Sequence, residues 1–203
     1  PSPEAMTPTI SASQVKDLRS MTGAPMMDCK AALTESDGDM DKAAEWLRKK
    51  GIAKAAKKAG REAAEGAVTS YIHHNGRVGV LLEVNCETDF VANTDQFKDF
   101  CREISLHIAS MRPLCVGRDE VPAELVEKEK EILRAQIDGS KPAEIQEKML
   151  EGRIGKFFAE QCLLEQPWVK DDKKTIEQYR AETVGTLGEN IQIRRFARFE
   201  IGS

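Results

Sequence analysis

The 203-residue chain predicts an α+β fold, with short helices first and later helices packed on a small antiparallel sheet. Three observations carry that expectation. Residues 13–50 repeat apolar side chains at helical spacing in three short runs. Residues 68–74 and 77–86 alternate on either side of Asn75-Gly76, a strong short-range hairpin cue because both positions tolerate positive φ. Residues 190–200 alternate again and are expected to join that hairpin as a further strand.

Residues 1–10 are rich in Pro, Ser and Thr and are expected to fray. Val15, Leu18 and Met21 then mark one face of a first helix. Thr22-Gly23-Ala24-Pro25 ends it, since glycine frees the backbone and Pro25 disfavours helical geometry before it. A second helix is expected over 27–35, stopped by Asp37-Gly38. A third is expected over 41–50, with Ala44 and Leu47 inward and Gly51 as its C-terminal cap. Three such helices make a unit with a thin core. Residues 53–66 are rich in alanine and charge and poor in large apolar groups, which reads as a helical linker. The expected organisation is therefore a flexible 1–10, a three-helix domain over 11–52, a linker over 53–66 and an α+β core over 67–203.

In that core Val78, Val80, Leu82, Val84 and Cys86 share one face of the second strand. Phe97, Phe100, Cys101, Ile104, His107, Ile108 and Met111 trace an apolar stripe on a long helix, entered at Asn93 or Thr94. Further helices are expected over 122–137 and 142–164, each with a proline placed for its first turn, and a last one over 173–184.

A net charge of −4 argues against a general nucleic-acid binder. Residues 1–66 hold eleven Lys/Arg against ten Asp/Glu, so the lysines of the linker read as a solvated helix face. Five scattered cysteines without a CxxC pair fit reduced thiols in a reducing compartment. No apolar run approaches the roughly 18 residues of a membrane span, and no signal peptide is seen. A soluble, intracellular protein is the expectation. The start at Pro1 also allows an organelle stroma or matrix after N-terminal processing.

Phosphate-cradling and nucleophile-elbow patterns are absent from the sequence. His73 and His74 point to opposite faces of a strand and so do not share a metal. Cys86 with His74 lacks a third, orienting group, and His107 reads as a hydrogen-bonded core histidine. Neither a metal, a cofactor nor covalent catalysis is expected.

Three features remain as candidates. Asp89-Phe90 lies in a connector between strand and helix, where the ring is either a core anchor or a displayed binding group. Met26 and Met27 are adjacent and cannot share one narrow stripe, so either one faces a partner or both cap the small bundle. Lys16 and Arg19 lie three apart on one helical face, where plain surface charge is the default reading.

Several blocks resemble one family. Thr22-Gly23-Ala24-Pro25-Met26-Met27-Asp28-Cys29-Lys30-Ala31-Ala32-Leu33 is similar to the N-terminal signature of the translation elongation factor Ts family. Ala53 to Lys58, Glu83 to Ala92, Leu163 to Pro167 and Gly188 to Ile191 follow in family order and span nearly all of the chain from Ser11. The resemblance implies a guanine-nucleotide exchange factor for elongation factor Tu, with a ubiquitin-associated-like three-helix domain joined to a core of sheet and helices. It implies that Asp89 and Phe90 wedge into the partner's GTP-binding domain, with Thr88 and Val91 completing a motif linked to displacement of the partner's Mg²⁺. Lys16, Arg19, Met26 and Met27 match residues that grip the same domain elsewhere. Pro25 stands where many members have glycine, which stiffens that loop. Longer relatives carry a duplicated core half and a protruding helical hairpin, for which this chain is read as having no room. Short members look like homodimers, and the edge of the strand near residues 190–201 is the expected contact. The competing reading is a ubiquitin-associated-like adaptor without exchange activity, which has no need of the strand-turn-helix block at 83–93.

Overall fold

The structure is a computed structural model that describes residues 9–203. The fraying expected for residues 1–10 lies outside the described residues, except at Thr9 and Ile10. Ile10 already packs against the first apolar cluster.

Three helices open the fold: α1 (Ala12–Thr22), α2 (Met26–Glu35) and α3 (Met40–Lys58). Ser11 caps α1 through a capping box, taking the Gln14 N–H at 3.1 Å while its own N–H donates to Gln14 Oε1 at 2.9 Å. Gly23 closes α1 at φ 67°, a left-handed position that suits glycine. Val15, Leu18, Cys29, Ala32, Leu33, Ala43 and Leu47 form a small buried cluster between the three helices. Ala43 is fully buried in that cluster, and Ala44 packs against it half-buried.

The third helix does not stop at Gly51. It runs on through Lys58, so residues 53–58 of the predicted linker are the end of α3. Gly51 is buried there because it is a crossing point: a Cβ on it would meet the Glu182 Cα at 3.4 Å. Ala55, one turn on, belongs to the larger core.

After α3 come β1 (Glu65–Ile72), β2 (Val78–Cys86), the single turn α4 (Asp89–Ala92) and the long α5 (Asp95–Met111). Then follow α6 (Ala123–Ala135), α7 (Ala143–Gln161), β3 (Pro167–Trp168), β4 (Asp171–Thr175), α8 (Ile176–Leu187) and β5 (Gln192–Glu200). The sheet is antiparallel in the order β1-β2-β5, with the last strand added beside the hairpin as expected. Its turn differs from the expected pair of positive-φ residues. Only Gly76 has positive φ, at 68°, and its N–H donates to the His73 carbonyl at 2.8 Å. Asn75 instead uses its side chain, accepting the Arg77 N–H at 3.0 Å.

One face of the sheet carries Val80, Leu82, Val84 and Cys86 into a core with Phe97, Phe100, Cys101, Ile104 and Ile108 of α5. His107 is buried with them. Val169 N–H donates to its Nδ1 at 3.1 Å, and its Nε2 bonds Gln166 Oε1 at 2.9 Å. All five cysteines are free.

Three further expectations are corrected. The helix expected over 173–184 starts at Ile176, because Thr175 and Gln178 form a capping box that fixes its first turn. Lys173 and Lys174 belong to β4, which pairs with β3 in a small hairpin. There is also room for a protruding helical hairpin: α6 and α7 pack on each other, and α7 meets the core through the 3-10 turn Leu163–Glu165. That turn also ends α7 at Gln161, short of residue 164. Entry and exit of the hairpin are neighbours, with Leu163 N–H donating to the Cys115 carbonyl at 2.9 Å. Among the described residues no helix is long and apolar enough to cross a membrane.

Candidate functional site

Where β2 ends, the chain bends at Glu87 and then passes through an extended Thr88, which caps α4 at φ −132° and ψ 152°. Thr88 Oγ1 accepts the Val91 N–H at 3.3 Å. At the other end Asn93 Nδ2 donates to the Asp89 carbonyl at 2.9 Å, and Thr94 Oγ1 donates to the Val91 carbonyl at 2.7 Å. A single helical turn has little stability of its own, so these side chains hold it. Thr94, of the two caps considered, is the one that starts α5.

This turn sorts its residues sharply. Val91 points into the core and is 6 % exposed, while Phe90 is 79 % exposed and Asp89 lies beside it in solvent. Of the two readings of Phe90, the displayed ring is the one adopted. Val91 is the anchor beneath it.

A carboxylate from another part of the chain grips the base of the turn. Glu189 accepts the Glu87 N–H at 3.1 Å, the Thr88 N–H at 3.0 Å and the Thr88 hydroxyl at 2.7 Å. In return Glu87 Oε1 accepts the Asn190 N–H at 2.8 Å and lies 3.6 Å from the Arg61 guanidinium. Asn190, buried, donates its side-chain N–H to the Arg61 carbonyl at 2.8 Å. Lys58 donates to the Gly188 carbonyl. The end of α3, the β2–α4 turn and the α8–β5 turn are thus tied in one knot. Gly188, at φ 78°, makes the reversal that aims Glu189 at Thr88. Sequence reasoning quoted the Gly188–Ile191 block but gave it no role. The available signal was an acid and an amide placed directly after a helix-ending glycine.

The N-terminal candidates lie on the surface. Met26 is 52 % exposed and Met27 74 %, so both face outward and neither caps the bundle. Lys16 and Arg19 line a shallow groove with Gly23, Pro25, Thr186 and Gln96, the last in the first turn of α5. That groove therefore reaches from α1 to the helix that follows the projecting turn.

The groups set aside earlier are held apart. His74 sits at the β1–β2 turn and Cys86 at the opposite end of β2. Burial raises the Cys86 thiol pKa, and its Sγ donates to the Thr88 carbonyl at 3.1 Å. Among the described residues no group of three or more His, Cys, Asp or Glu side chains is arranged to hold a metal ion.

Comparison with known proteins covers almost the whole chain. The family described as Elongation factor TS matches residues 5–203. Elongation factor Ts of Geobacter sulfurreducens is 57 % identical over 195 residues, which is 96 % of this chain and 90 % of that protein. Elongation factor Ts of Acetivibrio thermocellus is 59 % identical over 194 residues, 95 % of this chain and 90 % of the other. The protein of the same name from Fervidobacterium nodosum is 57 % identical over 194 residues, 95 % and 98 % of the two chains. With a match of this extent and an unbroken set of its blocks, the chain belongs to the elongation factor Ts family.

Proposed function

We propose that the chain is the guanine-nucleotide exchange factor for elongation factor Tu in bacterial translation, and that it acts by pressing the Asp89-Phe90 turn into the partner's GTP-binding domain. The observation that carries this reading is a phenyl ring 79 % exposed on a turn that side chains pin at both ends. An exchange factor must bind the nucleotide-free partner more tightly than the nucleotide-bound one, and by linkage each ligand then weakens the other equally. Burying one phenylalanine is worth about 1.5–3 kcal/mol. If that burial occurs only in the Mg²⁺-free partner, the ring supplies roughly 10–100-fold of the coupling.

In this reading Phe90 wedges, Asp89 competes near the Mg²⁺ site, Thr88 sets the turn and Val91 roots it in the core. Lys16, Arg19, Met26 and Met27 dock on the same domain elsewhere. The three-helix unit over 11–52 serves docking, and the core over 67–203 serves wedging and self-association. No covalent chemistry, cofactor, nucleic acid or membrane takes part.

The chain is further proposed to work as a homodimer. One end of the outer face of the sheet is apolar: Phe199 and Ile72 flank Gly79 in one row, and Leu81 lies beside Ala197 in the next, before the Glu83–Arg195 ion pair. A second copy laid face to face at the usual sheet spacing of about 10 Å covers that patch, which makes the face a better contact than the strand edge.

Release of fluorescent GDP from elongation factor Tu tests the exchange role. Phe90→Ala is expected to slow release by about 10–100-fold while leaving the fold intact. A well-folded variant that releases GDP at the unmodified rate refutes the wedge.

A further inference from the structure

We propose that Glu189 is the positioning residue of the wedge: its carboxylate fixes the direction in which α4 presents Phe90. This rests on the exchange reading above and adds a part that the projecting turn does not itself contain.

The argument starts from the sheet. Asn85 of β2 pairs with Gln192 at the start of β5. Continuing that antiparallel register sets Glu87 opposite Asn190 and Thr88 opposite Glu189, yet regular pairing has ended there. In a regular strand the N–H groups of consecutive residues point to opposite sides, but the chain bends at Glu87, so the Glu87 and Thr88 N–H groups converge and one oxygen of the Glu189 carboxylate takes both, at 3.1 and 3.0 Å. The exchange is reciprocal, since the Glu87 carboxylate takes the Asn190 N–H at 2.8 Å. Two side chains therefore bridge the two segments at the place where the chain must leave the sheet and turn.

This bridge sets the wedge. Thr88 is the cap of a four-residue helix, so the orientation of its peptide sets the axis of that turn. Glu189 grips that peptide by its N–H and the same residue by its hydroxyl, at 2.7 Å. Charge-assisted bonds of this kind are the stronger ones, and a carboxylate offers enough lone pairs for three donors at once. Glutamine at this position keeps an oxygen for the two N–H groups but turns an amide N–H toward the hydroxyl, so it retains the geometry with a weaker hold. Alanine leaves the half-buried Glu87 N–H and the exposed Thr88 N–H without their acceptor.

The test is a double-mutant cycle on the full chain, read as the rate of fluorescent GDP release from elongation factor Tu against exchange-factor concentration. Glu189→Ala is expected to lower the second-order rate by about tenfold, the effect of losing a charged hydrogen-bond acceptor. Glu189→Gln is expected to recover most of it. On a Phe90→Ala background, Glu189→Ala is expected to change the rate by less than about twofold, because the ring it aims is gone. Hydrogen–deuterium exchange is expected to quicken over residues 87–92 in Glu189→Ala and to stay unchanged in α5 and β2. A Glu189→Ala loss that persists in full on the Phe90→Ala background overturns the proposal, since a general weakening of the fold acts that way. Normal release by Glu189→Ala beside impaired release by Phe90→Ala overturns it alone. Normal release by Phe90→Ala overturns the wedge, and this proposal with it.

Discussion

Gly51 of α3 and Gly185 of α8 face each other where the two helices cross, so closely that a Cβ on Gly185 would stand 3.2 Å from the Gly51 Cα. The contact joins the helix that leaves the N-terminal unit to the core behind the sheet. Leucine at Gly185 has backbone in its way and must push the helices apart. Gly185→Leu is expected to cost about 1–3 kcal/mol, seen as a lower urea midpoint. Gly51→Ala meets its nearest backbone atom at 3.4 Å, an ordinary contact, and gains helix propensity. It is expected to leave the midpoint unchanged or slightly raised.

Val91 and Phe90 are neighbours with opposite fates. Val91→Ala removes two buried methyl groups and is expected to lower stability by about 1–3 kcal/mol. Phe90→Ala is expected to stay within about 0.5 kcal/mol, because the ring is in solvent. Urea unfolding of the two variants side by side checks the contrast.

His107 makes stability depend on mild acid. Burial lowers its pKa from 6.5, and the bond to Gln166 opposes that only in part. Gln166 donates its amide to the Glu160 carbonyl at 2.8 Å, so its oxygen receives the His107 Nε2–H. Nδ1 is then an acceptor for the Val169 N–H, and a second proton there would break that bond. The folded pKa lies below the unfolded one. The contribution is therefore complete above 6.5 and is lost as pH falls through that value toward the folded pKa. Unfolding midpoints are expected to drop between about pH 7.5 and pH 5, and the drop is expected to shrink in His107→Asn. Asp28 does not confuse this window. Burial raises its pKa, but the bonds from Lys54 and Lys50 more than offset that and hold it below 3.8.

The outer face of the sheet offers a test of self-association. Phe199 is 74 % exposed, so replacing it leaves the single chain's core untouched. Sedimentation of the unmodified chain is expected to give twice the 22.6 kDa of one copy. Phe199→Asp is expected to return it to 22.6 kDa.

Much of this architecture was legible because its signals are local. The capped helices, the alternation of β2 and β5 and the stripe on α5 each announce themselves within a single element. The errors arose where distant segments decide. Gly51 carries the usual mark of a helix end, and only the approach of α8 makes it a mid-helix contact. Lys173 and Lys174 looked helical because the pairing partner of β4 is a two-residue strand with almost no pattern. The displayed ring at Phe90 followed from the family blocks, since composition alone left it undecided. Glu189 escaped notice because its partners, Glu87 and Thr88, lie about a hundred positions earlier in the chain.

α3 has one more consequence. Its first half is sewn into the small cluster by Ala43 and Leu47, and its last turns into the large core by Ala55. A flexible tether would hold the two units at an average distance with a wide spread. A continuous helix rising about 1.5 Å per residue holds them at a single one. The span from Arg19 to Phe90 is then a ruler, and a protein that touches both ends must match its length or forgo one of them.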